Sequence, residues 1–186
     1  RIGILSLGCP RNLVDSEAIT GRLAAKGFPI VDINDAEVAL VNTCAFINDA
    51  KSESIDAILG LIEAKKQGRI RKIIVYGCFA QRYKDILPRQ LPEVDAFVGR
   101  IDLDRSISRF GLTPSHFAYL KVCEGCVNQC SFCIIPRIKG RFRSLPPGAI
   151  AAKARLLDTQ RVSELNIIGQ DITAYGRDLG TRTDLA

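Results

Sequence analysis

The sequence has no methionine, a single histidine and no long hydrophobic run. Its longest apolar stretches, such as Ile73-Ile74-Val75-Tyr76, fall far short of the roughly 20 residues that a membrane span needs. The first residues run straight into a strand-like segment, Ile2-Gly3-Ile4-Leu5. No basic region, apolar stretch and cleavage site precede it, so no secretory leader is read, and the expectation is a cytoplasmic protein without a membrane partner. The lack of methionine, with a start at Arg1 and a stop at Ala186 just after a strand-and-turn pattern, leads to the expectation of a trimmed chain or one with segments missing. The lone His116 lies near a linker and reads as a surface or hydrogen-bonded residue. Blocks of one charge are also absent. The net charge of +6 is spread along the chain, which permits an acidic or nucleic-acid partner without demanding one.

What is present is a chain of 186 residues, 47% apolar, enough for one large domain or a small domain plus part of another. Seven cysteines are many for such a chain. An odd number without a secretory leader argues against a disulfide framework and for metal or cluster ligation.

From Ile2 to about Gly111 the pattern alternates strand and helix. Strands are expected at Ile2–Leu7, Pro29–Ile33, Val38–Asn42, Lys72–Tyr76 and Val94–Val98. Helices are expected at Asp15–Lys26, closed by Gly27, at Ala50–Gln67 and at Gln81–Leu87. Ile55, Ile58, Leu59 and Ile62 recur at helical spacing and predict one buried stripe. Short connections between alternating elements imply an α/β fold with a parallel sheet and right-handed crossovers. Residues 112–117, with Thr113-Pro114-Ser115, read as a linker. A second unit over 118–186 opens with a strand at Ala118–Val122. It continues through a cysteine-rich basic loop, a helix starting at Pro146-Pro147 with Ile150, Ala154 and Leu157 on one face, and a strand at Leu165–Ile168. There is no internal repeat and no low-complexity segment.

Two cysteine constellations carry the chemistry. Cys126, Cys130 and Cys133 form a C-x3-C-x2-C loop directly after a strand. Thiolates are the usual ligands of iron–sulfur clusters. Three ligands on a four-iron cluster leave one iron open to the amino and carboxylate groups of S-adenosylmethionine. The competing account is a structural zinc, with Cys123 as fourth ligand, but such sites usually separate two ligand pairs by a long spacer. Cys123 alternates with Leu120 and Val122 and reads as a core thiol. The second set, Cys9, Cys44 and Cys78, is spaced by 35 and 34 residues. Each lies just past the C-terminal end of an expected strand, the edge where open parallel sheets bind ligands. A shared ligand site or three separate buried thiols both satisfy that pattern.

In context these residues resemble the methylthiotransferases, a branch of the radical S-adenosylmethionine superfamily, and within them the RimO group. The resemblance rests on Gly8-Cys9-Pro10-Arg11-Asn12-Leu13-Val14-Asp15-Ser16-Glu17, Asn42-Thr43-Cys44-Ala45-Phe46-Ile47 and Gly77-Cys78-Phe79-Ala80-Gln81-Arg82. Glu124-Gly125-Cys126 through Cys133-Ile134-Ile135-Pro136 and Gly169-Gln170-Asp171-Ile172-Thr173-Ala174-Tyr175-Gly176 complete it. It implies an N-terminal methylthiotransferase domain over 1–111, followed by the start of a radical S-adenosylmethionine barrel of partial TIM type. It implies an auxiliary [4Fe-4S] cluster on Cys9, Cys44 and Cys78 and a radical [4Fe-4S] cluster on Cys126, Cys130 and Cys133, with S-adenosylmethionine as co-substrate. The implied reaction inserts sulfur at an unactivated carbon and methylates it; in the RimO group the target is the β-carbon of an aspartate in a small-subunit ribosomal protein. An electron donor is a further implied partner, and the ribosome or RNA would be met through a C-terminal domain that this chain lacks. The segment between Cys78 and Cys126 is short for the family.

A C–H bond at a carbon without acidity is beyond acid–base catalysis, so a cofactor must carry the step. Phe132 is expected either to pack on the adenine or to fill the core. Gln170 and Asp171, at the end of a barrel strand, either contact S-adenosylmethionine or substrate or cap the next turn. Arg137, Lys139, Arg141 and Arg143 form a basic ladder, in which one residue, such as Arg143, binds a carboxylate or the whole ladder is an exposed strand. Asn12 and Asp15 are expected to order the loop after Cys9 and cap the helix. Methylthiolation of tRNA, as in the MiaB group, and a zinc-stabilised interaction module are the alternative readings.

Overall fold

The computed structural model describes residues 1–101 and 109–180, so the last six residues assigned to the second unit lie outside it. The first unit is a five-stranded, all-parallel sheet in the order β2-β1-β3-β4-β5. Its strands are β1 (Ile2–Ser6), β2 (Ile30–Val31), β3 (Val38–Thr43), β4 (Lys72–Gly77) and β5 (Ala96–Val98). Helices α1 (Pro10–Ala25) and α2 (Asn48–Lys66) are the long crossovers, and α3 (Cys78–Arg82) and α4 (Leu87–Gln90) are short. The chain moves outward from β1 to β2, then returns to start β3 on the other side of β1. That reversal is the switch point of a doubly wound sheet, where parallel strands leave a crevice beyond their C-terminal ends.

The β4 segment is an unbroken apolar run because both faces of a central parallel strand are covered. Ile73 and Val75 are fully buried on it and pack with Ala39, Val41, Ile58 and Ile62. Helix α2 corrects the expected stripe. Ile58, Leu61 and Ile62 are buried, whereas Ile55 is 38% and Leu59 49% exposed. The buried face includes Ser54 instead, whose hydroxyl holds the backbone N and O of Cys44.

Two helix boundaries also differ from expectation. Helix α1 begins at Pro10, five residues earlier than predicted, because proline is tolerated where the first N–H has no helical partner. Cys9 is its N-cap, without a side-chain capping bond, so neither Asn12 nor Asp15 caps it. The single helix expected at Gln81–Leu87 is two short ones, with Pro88 in the first turn of α4.

The second unit pairs β6 (Phe117–Lys121) with β9 (Glu164–Ile168) in parallel, joined by α6 (Pro147–Thr159). Between them lie a short antiparallel pair, β7 (Cys123–Glu124) with β8 (Arg143–Ser144), and α5 (Ile135–Lys139). Leu120, Val122, Cys123 and Tyr175 form its core, against which Ile150 and Ala154 of α6 pack. Among the described residues no helix is long and apolar enough to cross a membrane.

The segment joining the units is clipped to α1. Glu17, fully buried, accepts two bonds of 2.7 Å from the Arg109 guanidinium and one of 2.9 Å from the backbone N–H of Leu112. Removing one partner of a buried pair strands the other charge, at a cost of about 3–5 kcal/mol. Glu17→Ala is therefore expected to lower the unfolding free energy by about that amount in urea titrations. A change within experimental error would mean that the clip contributes nothing.

Candidate functional site

Strands β1, β3 and β4 are neighbours and run the same way, so their C-terminal ends form one edge. Cys9 follows β1, Cys44 directly follows β3, and Cys78 directly follows β4. Cys44 and Cys78 are buried and Cys9 is partly exposed. The crowding there is tight. A Cβ on Gly8, whose φ is +88°, would stand 2.6 Å from Cys44 Cβ and 3.1 Å from its sulfur. Only a residue without a side chain accepts both that φ and that approach.

Asn12 ties the three ends together from within α1. Its Nδ2 donates to the carbonyl of Leu7 at 3.0 Å and of Thr43 at 3.2 Å, and its Oδ1 accepts from Cys78 Sγ at 3.7 Å. Beneath this lies a buried polar network. Asn42 Nδ2 donates to the Asn12 carbonyl and to Ser16 Oγ, and Ser16 shares a bond of 2.9 Å with Tyr76 OH. Burial pushes the Cys78 thiol up to about 11; Lys139 counteracts this, and the neighbouring Cys44 and Cys9 add to it. Cys44 and Cys9 thus lie near enough to Cys78 to act on it.

The loop after β7 carries Cys126, Cys130 and Cys133. Cys130 is exposed, and Cys126 and Cys133 are partly so. Cys130, Phe132 and Cys133 line an open cavity of about 480 Å³ with Arg82 and Arg137. Cys126 is not among its lining residues; its sulfur instead accepts from the Asn128 backbone N–H at 3.4 Å. Phe132 is 87% exposed, which rules out core packing. Arg82, from the first unit, reaches this cavity while donating to the Ala45 carbonyl at 2.6 Å. It joins the residue after Cys44 to the second loop.

Asp171 caps the turn at 172–174, accepting from Thr173 N at 3.1 Å and Thr173 Oγ1 at 2.5 Å, and also accepts from Asn128 Nδ2 at 2.9 Å. The Thr173 bonds hold its carboxyl below the usual range, with Asn128 adding to them. Gln170 donates to Glu124 Oε1 at 3.5 Å, while its own Oε1 is buried without a partner. Arg11, two residues after Cys9, donates to the Gly169 carbonyl at 3.1 Å and leaves its Nε buried and unpartnered. Two unsatisfied polar atoms thus sit on the segments that bring the units together, where a bound polar molecule would satisfy them.

The basic ladder is broken in the fold. Arg137 is exposed at the cavity, Arg141 is exposed, and Arg143 is exposed on β8 opposite Glu124. Lys139 is buried, because α5 turns it inward onto two carboxylates. His116 is exposed beside Phe117.

Among the described residues no three His, Cys, Asp or Glu side chains close around one metal-ion position. Both sets consist of thiols alone, the usual ligand type of iron–sulfur clusters. Cys123 is fully buried, donates to the Asp171 carbonyl at 3.8 Å and crowds Gly169, so its sulfur serves the core of the second unit. The sequence missed Ser54 and Arg82 as supports of the Cys44 segment and Lys121 and Glu124 as buried charges. A lysine flanked by Leu120 and Val122 in a strand was the available signal.

The chain has relatives among known proteins. It is 44% identical over 207 aligned residues to a ribosomal protein uS12 methylthiotransferase RimO of Geobacter sulfurreducens, covering 96% of this chain and 46% of that protein. A protein of the same name from Solibacter usitatus is 43% identical over 209 residues, with coverage of 100% and 45%. Another, from an Anaeromyxobacter species, is 44% identical over 204 residues, with coverage of 96% and 44%. The chain spans about half the length of the curated relatives it matches. Residues 1–99, the five-stranded sheet with its three cysteine-bearing strand ends, match a defined family, and the chain belongs to it: Uncharacterized protein family UPF0004.

Proposed function

We propose that this chain belongs to a radical S-adenosylmethionine methylthiotransferase that adds a methylthio group to the β-carbon of an aspartate in a small-subunit ribosomal protein. The carrying observation is the pair of three-cysteine sets, one on the C-terminal edge of a doubly wound sheet and one on the loop after β7 of the second unit. In this reading residues 1–111 are the auxiliary-cluster domain, 112–117 the linker and 118–186 the start of the radical barrel. Cys9, Cys44 and Cys78 would hold one [4Fe-4S] cluster, and Cys126, Cys130 and Cys133 the other. When bound, the second supplies the electron that splits S-adenosylmethionine into a radical able to take a hydrogen atom from an unactivated carbon.

The chain's own residues bind, orient and exclude water. Phe132 offers an apolar face to the adenine at the rim of the 480 Å³ cavity. Arg137 at that cavity, or Arg143 on β8, offers a guanidinium to a carboxylate. The unpartnered Oε1 of Gln170 and Nε of Arg11 offer an acceptor and a donor between the units. Asp171, already engaged by Thr173 and Asn128, shapes the loop. The place of action is the cytoplasm, with an electron donor and the ribosomal protein as partners.

The full-length enzyme, reconstituted without air, is expected to hold about eight irons and matching sulfide per chain, two four-iron clusters. Incubated with S-adenosylmethionine, reductant and a sulfur source, it should raise the mass of the ribosomal protein by one methylthio group. One zinc and no sulfide would point to an interaction module and overturn the reading. A mass increase on tRNA alone would move the substrate assignment to nucleic acid.

A further inference from the structure

Two lysines and two carboxylates are buried together where the units meet. Lys121 comes from β6, Glu124 from β7, Lys139 from the end of α5 and Asp15 from the middle of α1. Lys121 Nζ pairs with Asp15 Oδ1 and lies 2.6 Å from Glu124 Oε2. Lys139 Nζ lies 3.5 Å from Asp15 Oδ2 and 3.3 Å from Glu124 Oε1. Each cation meets each anion, so the four form a closed ring of alternating charge with no net charge. Such a ring survives burial because every charge is paired, yet an apolar packing of equal volume would often be no less stable. Stability alone does not account for it.

Its surroundings do. Lys139 and Asp15 line a crevice with Gly77, Cys78 and Arg100 that has no room for water. Asn12, one turn before Asp15 on α1, accepts the Cys78 thiol. Arg100 donates to the Lys139 carbonyl at 2.7 Å and fixes the end of α5. Without water between them, charges on Lys139 and Asp15 act on Cys78 with little screening.

We propose that Lys139 and Asp15 are positioning residues that set the reduction potential of the cluster on Cys9, Cys44 and Cys78, acting on it as opposed charges across the dry crevice at distances fixed by the ring. This rests on the reading that those three cysteines hold an iron–sulfur cluster. Reduction adds negative charge to a cluster, so a nearby cation favours the reduced form and a nearby anion the oxidised one. Asp15→Asn leaves the ring with an excess positive charge and raises the potential. Lys139→Gln leaves an excess negative charge and lowers it. The double variant restores neutrality and lies between them.

The test uses the full-length enzyme with Cys126, Cys130 and Cys133 replaced by alanine, reconstituted without air with iron and sulfide, so that one cluster remains. Its midpoint potential is read by electron paramagnetic resonance during reductive titration. The single variants are expected to shift in opposite directions, each by about tenfold in the reduction equilibrium, which is about 59 mV for one electron. Lys139→Arg keeps the charge and the parent potential. Loosened packing is common to both single variants and has no charge sign, so it cannot produce opposed shifts. Shifts in the same direction, no shift, or a Lys139→Arg shift equal to that of Lys139→Gln would each overturn the proposal. If one single variant fails to fold, the other and the double variant decide in the same way. A parent that takes up no iron overturns instead the ligand reading of Cys9, Cys44 and Cys78.

Discussion

Replacing Cys126, Cys130 and Cys133 together by alanine is expected to abolish cleavage of S-adenosylmethionine and to leave about four irons per chain. The loop carries these thiols outside the core. Cys130 is exposed, and the other two are partly so. The backbone bond from Cys133 N to Cys130 O, 3.0 Å, is indifferent to the side chain. Truncation at such sites creates no cavity, so the fold of the chain itself should stay as it is. Loss of cleavage is then a statement about ligation. Cleavage that survives, measured as 5′-deoxyadenosine released under reducing conditions, would show that the radical site lies elsewhere.

Gly8→Ala is expected to remove the other half of the iron. The residue has φ +88°, which costs an L side chain roughly 1–2 kcal/mol. The new methyl would also meet Cys44 Cβ at 2.6 Å and Asn12 Nδ2 at 3.3 Å, both held from behind. Cys44 is pinned through its own backbone by Ser54, and Asn12 through the Leu7 and Thr43 carbonyls. Neither can yield without moving a sulfur. Iron and sulfide should fall to about half, while cleavage of S-adenosylmethionine without substrate continues, because the other loop is untouched. Sulfur insertion into the ribosomal protein should stop. Unchanged iron content would mean that the edge tolerates displacement and that the cradle around Gly8 is not what holds the ligands.

Much of the fold is legible because parallel α/β sheets leave a strong local trace. The run Ile73-Ile74-Val75-Tyr76 reads as a central strand, and it is one, buried on both faces. The helix boundaries are less legible. Helix α1 starts at Pro10 because a cysteine in extended backbone can occupy its N-cap without a capping bond, which no composition rule favours. The stripe on α2 turns toward Leu61 and Ser54 because the helix faces a strand end as well as the sheet, and a serine there satisfies the backbone of Cys44. Charged residues mislead most. Lys139 reads as one rung of a basic ladder, carboxylate-binding or exposed, and is instead buried, since its partners lie on α1 and β7.

The sequence by itself determines the loop set at Cys126, Cys130 and Cys133, because thiols so few residues apart are held near one another by the reach of the chain. It also places each of Cys9, Cys44 and Cys78 at a strand end, because strand length is a local property. Only the tertiary structure decides that those ends belong to adjacent parallel strands and meet at one edge, since strand order is set by crossovers and packing. Only it brings Asp15 against Lys121, 106 residues away, and closes the ring with Glu124 and Lys139. Asp15 reads alone as a helix cap and Lys139 as a rung of a basic ladder. Burial follows when the partners neutralise one another in a place that no single segment specifies.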